Sequence, residues 1–160
     1  MPEVICDTSP IQYLYQIGHL ELLVQLAGQV IVPPAVVREL EAGKERGVEL
    51  PDIFALDWIV VKWPIEKRSL PVNANLGAGE SEVLMLGLEI PDAILILDDR
   101  RARELAKSLG MVFTGTLGVL LSAKKKGLIS EVKPLLEALQ HRRFRISPHT
   151  FQAVLKLANE

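Results

Sequence analysis

The feature that most constrains the fold is a short, continuous apolar run, Ala93 to Leu97, which two aspartates, Asp98 and Asp99, follow at once. An unbroken apolar run of this length is typical of a strand that is buried on both faces in a parallel sheet. Parallel strands need a crossover connection between them, and that connection is usually a helix. The run therefore predicts an α/β fold in which strands and helices alternate along the chain.

The remainder of the chain repeats this alternation. Further strands are predicted at residues 3–6, 29–32, 58–62 and 111–113, with an edge strand at 143–146. Helices are predicted at residues 9–17, 19–26, 34–41, from 79 to just before Pro91, 99–109, 117–126 and, capped by Ser130, 130–140. Gly110 and Gly127 are expected to close the two helices that precede them. We expect a three-layer α/β sandwich around a mostly parallel central sheet.

The domain organisation is expected to be simple. The 160 residues contain no internal repeat and no Gly/Ser linker, so residues 1–160 are predicted to form one domain. The helix and strand pattern weakens over residues 43–75, which are predicted to be a less regular insert. A terminal helix is predicted from about residue 148, where Ser147 and Pro148 supply a cap and a first-turn proline.

Several classes of protein are excluded. Glu89, Pro91 and Asp92 interrupt the longest apolar stretch, so no membrane-spanning helix is expected. The N-terminus lacks a basic lead and a signal-length apolar core, which predicts a cytoplasmic protein. A single cysteine, Cys6, excludes an internal disulfide and argues against a cysteine-built metal site.

The charge of the chain is unevenly distributed. Residues 1–99 hold 6 Lys and Arg against 16 Asp and Glu, for a net charge of −10, whereas residues 100–160 hold 12 against 4, for a net charge of +8. An asymmetry of this kind indicates an anionic partner. An equal alternative is that the two halves differ in charge by chance on solvated helix faces. The positions of the acidic residues must distinguish between these two explanations.

Carboxylates follow the predicted strands at the points where the strands end. Asp7 follows the first strand, and Asp98 and Asp99 follow the strand at Ala93 to Leu97, at the edge where open parallel sheets bind ligands. Glu39 and Glu80 lie on nearby predicted helices. Each acid alone has a structural explanation as a helix cap or a surface residue.

A cluster of four carboxylates is harder to explain structurally. The four would repel one another by several kcal/mol at an effective dielectric constant near ~20. A divalent cation removes that cost, and oxygen ligands select Mg²⁺ or Mn²⁺. Such an ion supports the hydrolysis of a phosphodiester.

Five segments carry a resemblance to a known family: VICDTSPIQYL, VPPAVVREL, NLGAGESEVL, ILILDDRRARELAKSLGM and, shortly after it, FTGTLGVLL. The sequence resembles PIN-domain proteins related to the VapC-like toxin ribonucleases, and most of all a prokaryotic branch with the GE and GTLGVL motifs. The resemblance implies a Mg²⁺- or Mn²⁺-dependent endoribonuclease that cleaves single-stranded RNA. It also implies a homodimer and a possible antitoxin partner.

The resemblance assigns roles to individual residues. It implies catalytic and metal-binding roles for Asp7, Glu39, Glu80 and Asp99, with Asp98 as the alternative to Asp99 and Glu82 as the alternative to Glu80. Asp99 is favoured because the family acid usually precedes a basic residue directly. The supporting hydroxyls are Thr8, Ser9 and Thr116. The longer Glu80 side chain, where the toxins commonly have aspartate, and the extended insert are departures from the toxin pattern.

The basic half of the chain, residues 100–160, supplies candidate RNA-binding residues. Arg100 and Arg103 are spaced to share a helix face, and we expect them to bind phosphates unless they pair with Glu104 or other acids. Basic clusters at residues 124–126 and 142–145 are alternative surfaces. Trp58 and Trp63 are candidates for stacking a base, although packing is the commoner fate of a tryptophan.

Two other functions stay open at this point. A PIN-fold protein could bind RNA or a partner protein without cleaving it. A receiver-like phospho-acceptor domain would use the Asp98–Asp99 pair, Thr114 or Thr116, and Lys124, but a receiver needs its acid pair after the first strand, whereas here the pair comes late.

Overall fold

The computed structural model describes residues 2–65, 70 and 75–160. Within them, one sheet contains the five strands β1 (Val4–Cys6), β2 (Val30–Val32), β3 (Ile59–Val61), β4 (Ile94–Ile96) and β5 (Val112–Thr114). The strand order is β3-β2-β1-β4-β5, and every neighbouring pair is parallel. The α/β sandwich with a parallel central sheet, predicted from the alternation of apolar runs and helices, is confirmed.

The helices alternate with these strands. Their bounds are α1 (Thr8–Gln16), α2 (Glu21–Ala27), α3 (Pro34–Glu45), α4 (Ala78–Glu89), α5 (Arg100–Ser108), α6 (Thr116–Lys125), α7 (Lys133–His141) and α8 (Pro148–Leu157). A 3₁₀ turn, Ile53–Ala55, lies between α3 and β3.

The central strands are buried on both faces. All three residues of β1 and of β2 are buried, because successive side chains of a strand point to opposite faces and helices cover both. Helix α4 packs against β1 and β4, while α2 and α6 pack on each other and against β2 and β5 respectively. The outer strands are less covered, and Val112 on β5 is 61% exposed. Burial of the strands therefore decreases from the centre of the sheet to its two edges.

The helix ends follow the local rules that the sequence indicated. Gly110 and Gly127 adopt φ values of 74° and 73° just beyond α5 and α6, in the left-handed region that glycine enters without strain. The Ser147 side chain accepts a hydrogen bond from the Thr150 backbone amide and caps α8. These closures keep the connections between elements short.

Two sequence predictions were wrong. Residues 143–146 form no strand, because Arg143, at φ 68°, ends α7, and Phe144 then packs its ring edge-on against Tyr13 at 4.9 Å between centroids. Ser130 does not cap α7, which begins at Lys133. The Glu160 carboxylate instead accepts from the amides at the start of that helix.

The irregular region at 43–75 is only partly described. Helix α3 continues to Glu45, and the 3₁₀ turn and β3 follow. Residues 66–69 and 71–74 of this predicted insert lie outside the described residues. Across the described part of the chain, no helix has both the length and the apolar character needed to span a membrane.

Candidate active site

The acids converge on the carboxyl edge of the sheet because β1 and β4 are neighbours. Cys6, the last residue of β1, lies opposite Ile96, the last residue of β4, and the Asp7 amide donates to the Ile96 carbonyl at 3.1 Å. The strand order reverses between these two strands, which is where open parallel sheets form their ligand crevice. Asp7 and the Asp98–Asp99 pair therefore leave the sheet side by side.

Asp7 is a buried acid with one carboxylate oxygen that no hydrogen-bond donor reaches. The residue is 3% exposed, and although it occupies the cap position of α1 its side chain makes no capping hydrogen bond. Asp7 Oδ1 is buried and has no hydrogen-bond partner. Among the described residues that are not exposed, no other buried side-chain nitrogen or oxygen atom is left without one. Because the Asp7 side chain makes no capping hydrogen bond, helix capping does not explain this acid. A buried carboxylate oxygen without a partner is also costly to the fold.

The electrostatic environment of Asp7 is strongly unfavourable to its charge. The pKa of Asp7 is raised from 3.8 to about 7, chiefly by burial, with the charges of Glu80, Glu39 and Asp98 adding to the rise and a hydrogen bond from the Thr8 backbone amide partly offsetting it. A carboxylate with this pKa is half protonated near neutral pH. It is a group that a nearby cation would stabilise in its ionised form.

Glu39 faces Asp7 across the start of α4. Its Oε1 accepts from the Thr8 hydroxyl at 2.7 Å and its Oε2 accepts from the Gly79 amide at 3.1 Å. A methyl group at position 79 would collide with the Glu39 carboxylate and would lie 3.0 Å from Asp7 Oδ1. The backbone of Gly79 is thus the point at which the Asp7 and Glu39 carboxylates meet, and the absence of a side chain there makes the approach possible.

The sequence reasoning did not identify Gly79 as a site residue. A signal was present in the GE motif, because a glycine in the first turn of a helix is unfavourable unless the backbone must approach another group closely. The structure supplies that group as the Asp7–Glu39 pair.

Glu80, rather than Glu82, faces this cluster. Burial raises the pKa of Glu80, and the charges of Asp99 and Glu39 raise it further. Glu82 points elsewhere, since its Oε1 accepts from the Ala35 amide at 3.1 Å and its Oε2 lies 3.5 Å from the Arg38 guanidinium. Glu82 therefore ties α4 to the start of α3.

Asp98 is held by three hydrogen bonds. Its Oδ1 accepts from the Thr116 amide at 2.8 Å, and its Oδ2 accepts from the hydroxyls of Thr116 at 2.6 Å and Ser9 at 3.2 Å. Two of the three predicted supporting hydroxyls, those of Ser9 and Thr116, thus bind Asp98 and connect the starts of α1 and α6 through it. Asp99 caps α5 by accepting from the Ala102 amide at 3.0 Å. Both aspartates have structural partners, so the choice between them as a metal ligand stays a prediction.

The two candidate RNA-binding arginines differ in their surroundings. Arg100, with its side chain 91% exposed, forms an ion pair with Glu104 at 3.1 Å. This pair is the predicted alternative to phosphate binding by Arg100. The Arg103 guanidinium carbon lies 5.1 Å from the centre of the Phe113 ring, a cation–π contact. The Arg103 guanidinium and the Asp98 carboxylate approach the same backbone position, Gly115, so Arg103 lies at the acidic rim.

The acidic crevice has the donor chemistry for a hard divalent cation. As they stand, no three or more of the described Asp, Glu, His and Cys side chains are arranged to hold a metal ion. The residues nevertheless fit one, because the crevice offers only carboxylate and hydroxyl oxygens and Asp7 Oδ1 is buried without a partner. Asp7 and Glu39 would hold the ion, with Glu80 and Asp99 as the neighbouring acids. The ligand and catalytic roles stay predictions.

The receiver-like alternative does not agree with the geometry. Lys124, which would have to reach the acid pair, lies in the last turn of α6, where its ammonium donates to the Ser130 carbonyl at 2.8 Å and to Glu160 at 3.2 Å. It is thus committed to the far end of α6 from Thr116 and Asp98.

The fold and the site together define an α/β domain with a carboxylate crevice at the switch point of a parallel sheet. A family model described as DUF3368, PIN domain, matches residues 3–160, which is nearly the whole chain. The chain therefore belongs to this PIN-domain family, whose fold is nuclease-like, and the resemblance seen in the sequence motifs is confirmed. A search of curated proteins finds no significant match.

Proposed function

We propose that the protein is a Mg²⁺- or Mn²⁺-dependent endoribonuclease that hydrolyses phosphodiester bonds of single-stranded RNA. Membership of the PIN family supports hydrolase chemistry on nucleic acid at a coarse level. The observation that carries the finer proposal is the buried, unpartnered Oδ1 of Asp7 beside the Glu39 carboxylate. A buried carboxylate oxygen without a partner lowers the stability of the fold, so its presence indicates a functional role.

In this proposal some residues bind the cation and others hold the cation ligands in position. A bound divalent cation would polarise the phosphodiester and shield its developing negative charge. Asp7 and Glu39 would hold the cation, and the Thr8 hydroxyl and Gly79 amide fix the rotamer of Glu39 for that purpose. Glu80 and Asp99 add negative charge to the outer side of the crevice.

The proton balance of the crevice couples metal binding to pH. Asp7, with a pKa of about 7, must lose its proton to act as a ligand. We therefore expect cation affinity to rise between about pH 6 and pH 8 and to weaken below that range.

The test is a cleavage assay on a fluorescent single-stranded RNA with Mg²⁺ or Mn²⁺. Wild-type protein should cut the RNA, and cleavage should stop when a chelator is added. Asp7→Asn should be inactive while remaining folded. An Asp57→Asn variant, which removes an exposed carboxylate just before β3, at the opposite edge of the sheet from the crevice, should cut as the wild type does. If Asp7→Asn keeps wild-type cleavage, this mechanism is wrong.

The second candidate function is a PIN-fold protein that binds RNA or a partner protein without cleaving. The observation in its favour is that Glu39, Asp98 and Asp99 already accept hydrogen bonds from neighbouring residues, so the protein itself partly satisfies these crevice acids. Wild-type protein that binds RNA but never cuts it would favour this alternative. The antitoxin, the homodimer, the cytoplasmic location and the relation to VapC-like toxins stay predictions.

A further inference from the structure

A second concave site lies next to the acidic crevice. A cavity of about 500 Å³ opens between the first turns of α3 and α4 and the segment that follows β3. Its lining includes Pro34, Arg38, Trp63, Ala78, Glu82 and Met85. Its size falls in the range of ordinary small-ligand sites.

The cavity and the crevice are adjacent faces of the same helix. Ala78, Glu82 and Met85 are spaced four and three residues apart, so they share one face of α4. The amide of Gly79, the next residue after Ala78, donates to the Glu39 carboxylate, and a side chain at position 79 would lie against Asp7 Oδ1. The cavity and the acids are therefore reached from adjoining faces of the first two turns of α4.

The lining has the chemistry of a base-stacking site. The Trp63 side chain is an exposed indole at the mouth of the cavity, with 68% of the residue accessible to solvent. Pro34 and Met85 provide apolar contact area behind it. An exposed tryptophan over an apolar hollow gains from stacking a flat aromatic ligand, and nucleobases stack on such rings without regard to sequence.

Arg38 adds a cation at the same opening. Its side chain is 67% exposed, and its guanidinium lies 3.5 Å from Glu82, a contact that uses only part of its five N–H donors. Glu82 is itself anchored by the Ala35 amide, so it holds the guanidinium at the edge of the cavity. An arginine placed in this way suits a backbone phosphate.

We propose that this cavity binds one nucleobase of a single-stranded RNA by stacking on Trp63, with Arg38 on the adjoining phosphate, and so delivers the next phosphodiester to the acidic crevice. The inference rests on the proposed function for the identity of the strand as RNA. It adds a binding site that selects single strands, because a base within a duplex is not free to enter a cavity.

The test is the binding of a fluorescein-labelled eight-nucleotide uridine RNA to the wild-type protein in chelator, followed by fluorescence anisotropy. Trp63→Ala should weaken binding by about fivefold to about a hundredfold, the range that base stacking supplies per base, and Trp63→Phe should retain most of the affinity. Arg38→Ala should lower the slope of log affinity against log salt by about 0.7.

Phe54 offers the matched control. It is an equally exposed aromatic residue, at 72%, but it lies beside the last turns of α3, away from the crevice. Phe54→Ala should leave the affinity unchanged. An oligomer of the same length without bases should bind wild type and Trp63→Ala equally. Thermal unfolding checks that each variant is folded.

The outcomes separate this inference from the nuclease proposal. If wild type cleaves the RNA and Trp63→Ala binds and cleaves it equally well, the base site is wrong while the nuclease stands. If Trp63→Ala binds more weakly but wild type never cleaves, the base site stands and the nuclease is wrong. Weak binding by Phe54→Ala to the same degree would overturn the assignment to this cavity.

Discussion

The replacement of Asp7 by asparagine should stabilise the metal-free protein, and the gain should depend on pH. Asp7 has a pKa of about 7 in the folded chain against an ordinary value of 3.8. Between these two values the folded state binds more protons than the unfolded state, so the free energy of unfolding of wild type falls as pH rises. One pKa unit is worth about 1.4 kcal/mol, so the full loss across this range is about 4 kcal/mol.

Asp7→Asn removes this loss because asparagine does not ionise. At pH 8 its free energy of unfolding in chelator should exceed that of wild type by up to about 4 kcal/mol, and at pH 4 the difference should shrink to less than about 1 kcal/mol. Urea denaturation followed by circular dichroism at both pH values measures the difference. Asp57→Asn, at an exposed position, should follow the wild-type pH dependence.

The same experiment with Mn²⁺ completes the argument. The ion should raise the stability of wild type at pH 8, because it binds the folded crevice, and should leave Asp7→Asn nearly unchanged. A difference between wild type and Asp7→Asn that is the same at pH 4 and pH 8 would refute the claim that Asp7 is an uncompensated buried acid.

Three further predictions concern the surroundings of Asp7. Gly79→Ala should weaken Mn²⁺ binding by about tenfold or more in calorimetric titration, because the new methyl group displaces two carboxylates; a variant that is merely stabilised, as alanine in a helix would be, would contradict this. Asp98→Ala should cost about 1 to 3 kcal/mol in urea denaturation, since it leaves the Thr116 donors unpaired, whereas Asp99→Ala should cost about 1 kcal/mol for its cap but abolish cleavage. The Arg100→Ala, Arg103→Ala double variant should flatten the salt dependence of RNA affinity by about 0.7 per lost phosphate contact, and an unchanged slope would assign both to structure.

The sheet could be predicted because its signals are local. The apolar run at β4 and the shorter β-branched runs before Asp7 and Pro33 each define a buried strand, and the glycines after α5 and α6 mark helix ends. Once the strands are parallel, residues directly after them must share one edge. The position of the acidic crevice therefore followed from the sequence.

The partners of individual side chains could not be predicted because they come from distant parts of the chain. Asp98 and Asp99 are neighbours in sequence, but Asp99 makes a local helix cap, whereas Asp98 accepts hydrogen bonds from the distant residues Ser9 and Thr116. The first turn of α7 is closed by Glu160, 28 residues beyond Val132, so the local Ser130 signal was misleading. Such pairings depend on tertiary packing, which outweighs local propensity.

Anomalous scattering of Mn²⁺ in crystals of the wild-type protein at about pH 8 tests directly whether Asp7 and Glu39 hold a cation. We expect a peak in the crevice at metal–ligand distance from Asp7 Oδ1, with a Glu39 oxygen as a second ligand. A well-occupied peak elsewhere, or a crevice in which Asp7 keeps a protein partner and binds no ion at saturating Mn²⁺, would contradict it.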